Sequence, residues 1–145
     1  MIRPAVEADV PELMAMIREL AEYEELADQV TATEDDLARA LFAPDSVVFD
    51  TVVEDGNGGL AAHALWFHTF STFLGKTGIW LEDLYVRPAH RRKGLATELV
   101  AHLRAQTDGR LEWEVLEWNL PAIDFYQQLG ARPTAGWTRY RWYEG

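Results

Sequence analysis

The stretch LEDLYVRPAHRRKGLATELV, residues 81–100, constrains the fold more than any other part of the chain. Residues 79–86 read as a strand, and Pro88 stops it because proline offers no N–H to a ladder. From about residue 93 to residue 107, Leu95, Leu99, Val100 and Leu103 recur at helical spacing, so one apolar face turns inward. A strand that passes into an amphipathic helix across a short turn places the chain in the α/β class. The turn itself is unusual. Four of the thirteen cationic residues (Arg87, Arg91, Arg92 and Lys93) fall within it, although the formal net charge is −11.

The remaining punctuation extends this pattern. Residues 2–3 begin a short edge strand. Asp9 is expected to cap a first helix that has Pro11 and Glu12 in its first turn and Val10, Leu13, Ile17, Leu20 and Ala21 on its inner face. Thr33 and Asp36 form a capping-box pattern opening a second helix, with Leu37, Ala40 and Leu41 inward. Strands over residues 47–54 and 60–70 flank DGNGG, a hairpin signal. A loop over residues 71–78 leads into the strand at 79–86. Residues 110–116 alternate, with Leu111, Trp113 and Val115 on one face and Glu112 and Glu114 on the other. A fourth helix spans residues 119–129, with Pro121 in its first turn and Gly130 placed to end it. An aromatic strand over residues 137–143 closes the chain. The order β-α-α-β-β-β-α-β-α-β predicts one domain over residues 1–145, a mixed sheet flanked by about four helices.

Composition removes several functions. The absence of cysteine excludes disulfides, thiolate nucleophiles and cysteine-bound zinc. His63, His68, His90 and His102 lack metal-ligand spacing, so no metal is expected and all four read as structural or exposed. A pI near 4.7 argues against nucleic acid and favours a cationic partner. No apolar run approaches the ~18 residues that span a bilayer. The opening MIRPAVEADV has no signal-peptide block, so a cytoplasmic protein without a membrane partner is expected.

The basic turn has a direct chemical use. The first N–H groups of a helix lack intrahelical acceptors and carry the positive end of its dipole, a setting that suits a diphosphate. Gly94 and Ala96 let a bulky anion approach, and Arg91 adds a charged fork. On charge alone, a solvated basic turn remains open. Neither a Walker loop nor a dinucleotide-binding G-x-G-x-x-G occurs.

The pattern V-R-P-x-x-R-x-x-G-x-A resembles the acetyl-CoA pyrophosphate loop of the GNAT superfamily of N-acetyltransferases. EWNLPAIDFYQQLGA, residues 117–131, resembles that family's N-x-x-A-x-x-F-Y-x-x-L-G-A segment. ELAEYEEL, TFSTFLGKTGIWLEDLYV and LEWNLPAIDFYQQLGA are similar to its diamine acetyltransferase branch, which acts on spermidine, spermine or thialysine. The resemblance implies the GNAT acyltransferase fold, acetyl-CoA as co-substrate, and direct acetyl transfer to the primary amine of a small cation. By family analogy it also implies a homodimer. A peptide or protein amine, or a coenzyme-binding sensor without turnover, are the alternatives.

The amine must be neutral to attack, and with a pKa near ~10.4 only about one lysine-like molecule in 2,500 is neutral at pH 7. A carboxylate can hold the ammonium and pass its proton on. Glu82 and Asp83 are adjacent on a strand, so they face opposite sides unless a bulge turns one of them. The resemblance makes Glu82 the substrate-facing group, with Asp83 beside it, and places Tyr23 and Glu24 around the amine. Glu112 and Glu114 share a face that either recognises a diamine or is simply solvated. Tyr126 matches the tyrosine that protonates the departing thiolate. Asn119 matches a coenzyme contact and also suits a helix cap. The resemblance assigns coenzyme binding to the backbone of Leu84, Tyr85 and Val86, and to Arg91, Arg92, Lys93, Gly94, Leu95, Ala96 and Thr97. Arg92 departs from the family pattern, standing where many relatives have glycine.

Overall fold

The computed structural model describes residues 1–144. The chain forms two compact units, Met1–Glu114 and Val115–Gly145. The first contains β1 (Ile2–Pro4), α1 (Val10–Tyr23), α2 (Glu34–Phe42), β2 (Val48–Glu54), β3 (Leu60–Ser71), β4 (Lys76–Val86), α3 (Leu95–Arg104) and β5 (Leu111–Glu112). The second contains α4 (Leu120–Leu129). The five strands pair in the order β1-β2-β3-β4-β5, antiparallel except for the parallel β4–β5 pair. The expected mixed α/β sheet is present.

Local chemistry fixes several elements. Thr33 Oγ1 accepts the Asp36 N–H at 3.1 Å while Asp36 accepts the Thr33 N–H at 2.9 Å, closing the expected capping box on α2. In the β2–β3 turn, Asp55 Oδ1 accepts the N–H groups of Asn57 and Gly59. Asp9 differs from its expected role. Its side chain does not cap α1; it accepts the Val6 N–H at 2.8 Å and binds Arg3 at 2.7 Å, closing the short turn before the helix.

The sheet carries a core on each face. Trp66, Ile79 and Leu81 pack with Leu99 and Leu103 of α3 on one face. On the other, Val52, Leu60 and Tyr85 pack with Leu13, Met14 and Met16 of α1 and Leu37 of α2. Each fully buried side chain of this size contributes roughly 1.5–3 kcal/mol. Arg87 ties α1 to the sheet, donating to Glu12 at 2.7 Å, to Glu19 at 3.3 Å and to the Leu60 carbonyl at 3.2 Å. One of the four turn cations is thus committed to architecture.

β4 begins at Lys76 because it pairs with β3 from Ser71 on, so the loop expected over residues 71–78 is shorter, and α3 spans Leu95–Arg104 within the expected 93–107. Two expected strands fall short. The strand expected over residues 110–116 is only Leu111–Glu112, because its ladder covers just Ile79↔Leu111 and Trp80↔Glu112. The close approach there depends on glycine, since a Cβ on Gly109 would lie 2.4 Å from the Thr77 carbonyl oxygen. The aromatic strand expected over residues 137–143 is absent among the described residues. Trp137, Tyr140 and Trp142 are exposed, and alternation alone makes no strand where no neighbour takes up the backbone groups.

Candidate active site

The register of β4 shapes the site. Leu65 of β3 pairs with Asp83 and the next residue, Trp66, pairs with Leu81, which leaves Glu82 as the extra residue of a β-bulge. Before the bulge Ile79 and Leu81 enter the α3-side core; after it Leu84 and Val86 do. The inward set shifts from odd to even numbers, so Glu82 and Asp83 both face the α1 side. The expected division of the two carboxylates between opposite faces is therefore corrected, and the bulge is the reason.

Glu82 is exposed, and its Oε1 accepts the indole N–H of Trp80 at 3.0 Å. Asp83 is half-buried. Burial pushes its carboxyl above the ordinary range, His63 pulls it back, and the charges of Glu82 and Asp50 push it further up. Glu24 follows the last residue of α1, and its carboxyl is also raised, first by burial and then by the charge of Asp83. Tyr23 ends α1 and is 44% exposed. Glu112 pairs with Trp80, while its neighbours Leu111 and Trp113 pack against the α3-side core, so Glu112 joins the face of Glu82. Glu114 lies beyond β5 and is exposed. The α1 face of the sheet therefore gathers Glu24, Glu82, Asp83 and Glu112, where an ammonium is favoured and an anion is not.

The basic turn has a defined backbone. Gly94, the residue before α3, has φ 78°, and Arg92 has φ 64°. Left-handed residues in such a turn aim successive N–H groups into one concavity. Arg92 thus fills a conformation that glycine adopts more readily, which gives its departure from the family pattern a backbone meaning. The first intrahelical bond of α3 runs from the Glu98 N–H to the Gly94 carbonyl at 3.0 Å, leaving the Leu95, Ala96 and Thr97 N–H groups without acceptors among the described residues. Arg91 donates its Nε to the Val86 carbonyl at 3.0 Å and lies over the Tyr85 ring at 5.8 Å, so it is held at the entrance. Arg92, Lys93 and Gly94 are exposed. Along Leu84, Tyr85 and Val86, β4 pairs with β3, but β5 pairs with it only at Ile79 and Trp80. The outer edge of β4 past Trp80 is free of a strand partner among the described residues. Both features suit acetyl-CoA: helix and turn N–H groups for its diphosphate, and an open strand edge for its amide-bearing arm.

In the second unit, Asn119 is buried and caps α4, its Oδ1 accepting the Ala122 N–H at 3.4 Å. Gly130 ends the helix at φ 95°. Tyr126 lies on α4 with its ring 5.5 Å from that of Phe125.

Sequence reasoning missed one feature. Asp50 of β2 and His63 of β3 form a pair with fully buried side chains, His63 Nδ1 lying 2.9 Å from Asp50 Oδ2. The residues are thirteen apart, and only the β2–β3 register brings them together.

Comparison with known proteins decides the family. The Acetyltransferase (GNAT) family profile matches residues 12–131. The chain belongs to the acetyltransferase (GNAT) family. Enzymes of this family use acetyl-CoA as co-substrate. The pig thialysine N-epsilon-acetyltransferase is 35% identical over 159 residues, covering 100% of this chain and 92% of that protein. The L-ornithine N5-acetyltransferase of Arabidopsis thaliana is 29% identical, covering 94% of this chain and 81% of that protein. Among solved structures, an integron cassette protein from the mobile metagenome of V. cholerae superposes with a TM-score of 0.79 at 27% identity, over 100% of this chain and 92% of that one. This GNAT protein is an N-acetyltransferase of the diamine-acetyltransferase-like branch.

Proposed function

We propose that this acetyltransferase moves the acetyl group of acetyl-CoA directly to a primary amine on a small cationic substrate: a diamine, a polyamine or a lysine-like amino acid such as thialysine. The observation that carries this reading is that Glu24, Glu82, Asp83 and Glu112 share one face of the sheet, Asp83 being turned to it by the β4 bulge. An acidic face of this kind holds an ammonium and, on a longer substrate, a second one. The thialysine and ornithine acetyltransferases among its relatives are named for such amines.

In this reading Tyr23 covers the apolar stem of the amine and Glu24 pairs with its distal charge. Glu82 takes the proton of the attacking nitrogen, directly or through water. The nitrogen lone pair forms a bond to the thioester carbonyl carbon, and the carbon–sulfur bond breaks. Tyr126 gives its proton to the leaving sulfur, and Asn119 contacts the coenzyme. Backbone N–H groups of Leu84–Val86 stabilise the carbonyl oxygen as charge develops on it. Arg91, Arg92, Lys93 and the N–H groups of residues 94–97 bind the diphosphate. Without cysteine there is no thiol to carry an acyl-enzyme, and the reading takes transfer as direct. The proposal extends to one catalytic domain over residues 1–145, acting as a cytoplasmic homodimer on free amines rather than on nucleic acid or membranes.

The test incubates the purified protein with acetyl-CoA and a panel of diamines, polyamines, ornithine, lysine and thialysine, following free thiol and product mass. Stoichiometric CoA and N-acetylated amine are expected. No CoA release with any member of the panel overturns the proposal.

A further inference from the structure

The Asp50–His63 pair is fully buried and has no part in the transfer chemistry described above. Both carboxylate oxygens of Asp50 lie against His63 Nδ1, at 2.9 and 3.1 Å. A buried carboxylate is costly unless it is paired with a countercharge and hydrogen-bonded. His63 is the group in contact with it. Burial opposes a charge on the imidazole, but the charge and hydrogen bond of Asp50 outweigh it and raise the ring above its ordinary range. A protonated ring carries a second donor. That donor, Nε2, is buried and has no hydrogen-bond partner among the described residues.

The register shows what this donor-bearing cation lies beneath. Leu65 pairs with Asp50 on one side and with Asp83 on the other, and His63 pairs with Tyr85. Asp50, His63 and Asp83 therefore occupy the same α1-side face on three adjacent strands. Other charged groups meet this face from α1 and β4, while those of α2 stay in solvent. From α1 come Glu24, next to Asp83, and Glu12 and Glu19, both taken up by Arg87. From β4 come Glu82, on Asp83's side, and Arg87, whose charge opposes protonation of His63. On α2, Asp36 and Arg39 pair with each other. His63 thus lies on the face that carries these carboxylates, in direct contact with Asp50.

We propose that Asp50 and His63 are positioning residues of the amine site, a buried imidazolium–carboxylate pair that keeps Asp83 ionised beside Glu24 and Glu82. The inference rests on the reading of Glu82 and Asp83 as the amine site. Asp50 holds the imidazole charged and fixes its plane; the imidazole sets the charge state of Asp83. Without it, Asp83 takes up a proton in the working pH range and the site loses attraction for the ammonium.

Two measurements test this. In the wild-type protein without substrate, nitrogen NMR of the His63 ring should show both nitrogens protonated from pH 6 to pH 8. A neutral tautomer at pH 7 overturns the proposal whatever the enzyme acetylates. The second compares pH profiles of kcat/KM for the amine. In His63→Gln, which removes the imidazole and leaves the Asp50 charge in place, the acidic limb should move upward by about one unit. The resulting ~10-fold loss on the acidic side should recover at high pH, mainly through KM. A loss that is uniform across pH marks a structural role and overturns the proposal. Should the variant fail to fold, the NMR result decides. Should no amine be acetylated by the wild type, the functional reading falls, and the NMR result still tests the charged pair.

Discussion

Replacing His63 with glutamine leaves Asp50 buried without its countercharge. The side chains of both residues are fully buried in the folded protein, so solvent cannot compensate. Breaking a buried pair by removing one partner costs about 3–5 kcal/mol. A domain of this size has roughly 5–15 kcal/mol of stability, so the variant should fold with a thin margin. With a urea dependence of about 2 kcal/mol/M, the unfolding midpoint should fall by about 2 M. Asp50→Asn/His63→Gln removes both charges and keeps a neutral hydrogen bond, so its loss should be only about 1–2 kcal/mol. The double variant should therefore be more stable than His63→Gln alone by about 1–4 kcal/mol. The pH dependence has a fixed sign. His63 is raised above 6.5 in the folded state, so the stabilisation is complete below 6.5 and disappears as pH rises through the raised value. The deficit of His63→Gln should accordingly be largest under mildly acidic conditions and shrink under alkaline ones. Urea titrations followed by tryptophan fluorescence at several pH values measure all of this. Equal losses in the single and double variants, or a deficit that grows with pH, would refute the reasoning.

Four further outcomes are expected. Glu82→Gln should lower kcat by about 10²-fold, since general-base assistance is worth at least that, and steady-state CoA release at saturating amine measures it. Gly94→Ala should cost about 1–2 kcal/mol in stability, because residue 94 sits at φ 78°, and should raise KM for acetyl-CoA; thermal unfolding and kinetics read the two effects separately. Arg92→Gly relieves the positive φ at that position, so its Tm should not fall, while KM for acetyl-CoA should rise if the guanidinium meets the diphosphate. Asp9 is held below the ordinary carboxylate range by Arg3, so Asp9→Asn should destabilise at neutral pH and converge on wild type as pH falls through the depressed value, as urea unfolding at a series of acidic pH values would show.

The signals legible in the sequence were local ones. The Thr33–Asp36 box, the Asp55 turn and the Gly130 helix end each depend on residues within a few positions of one another, and each stands where its motif placed it. The site was harder to read, because its geometry comes from pairing. Alternation along β4 predicts that Glu82 and Asp83 diverge; only the slip against Leu65 and Trp66 shows that they converge. Arg87 stands among the turn cations in sequence, but its partners Glu12 and Glu19 come from α1, far away in the chain. Asp50 and His63 are ordinary strand residues in sequence and a buried hydrogen-bonded pair in register. The alternation at residues 113–116 and 137–143 promised strands that the ladder does not extend to cover, since a strand depends on its neighbour as much as on its own residues.

The central claim is that the opening of α3 and the free edge of β4 receive acetyl-CoA beside the acidic face. A crystal structure of the protein with CoA tests it most directly. The account predicts diphosphate oxygens within hydrogen-bond distance of the N–H groups of residues 92–97, and the thiol arm lying along Leu84–Val86 and ending near Glu82. CoA bound elsewhere, or its arm directed away from the Glu82 bulge, would contradict it.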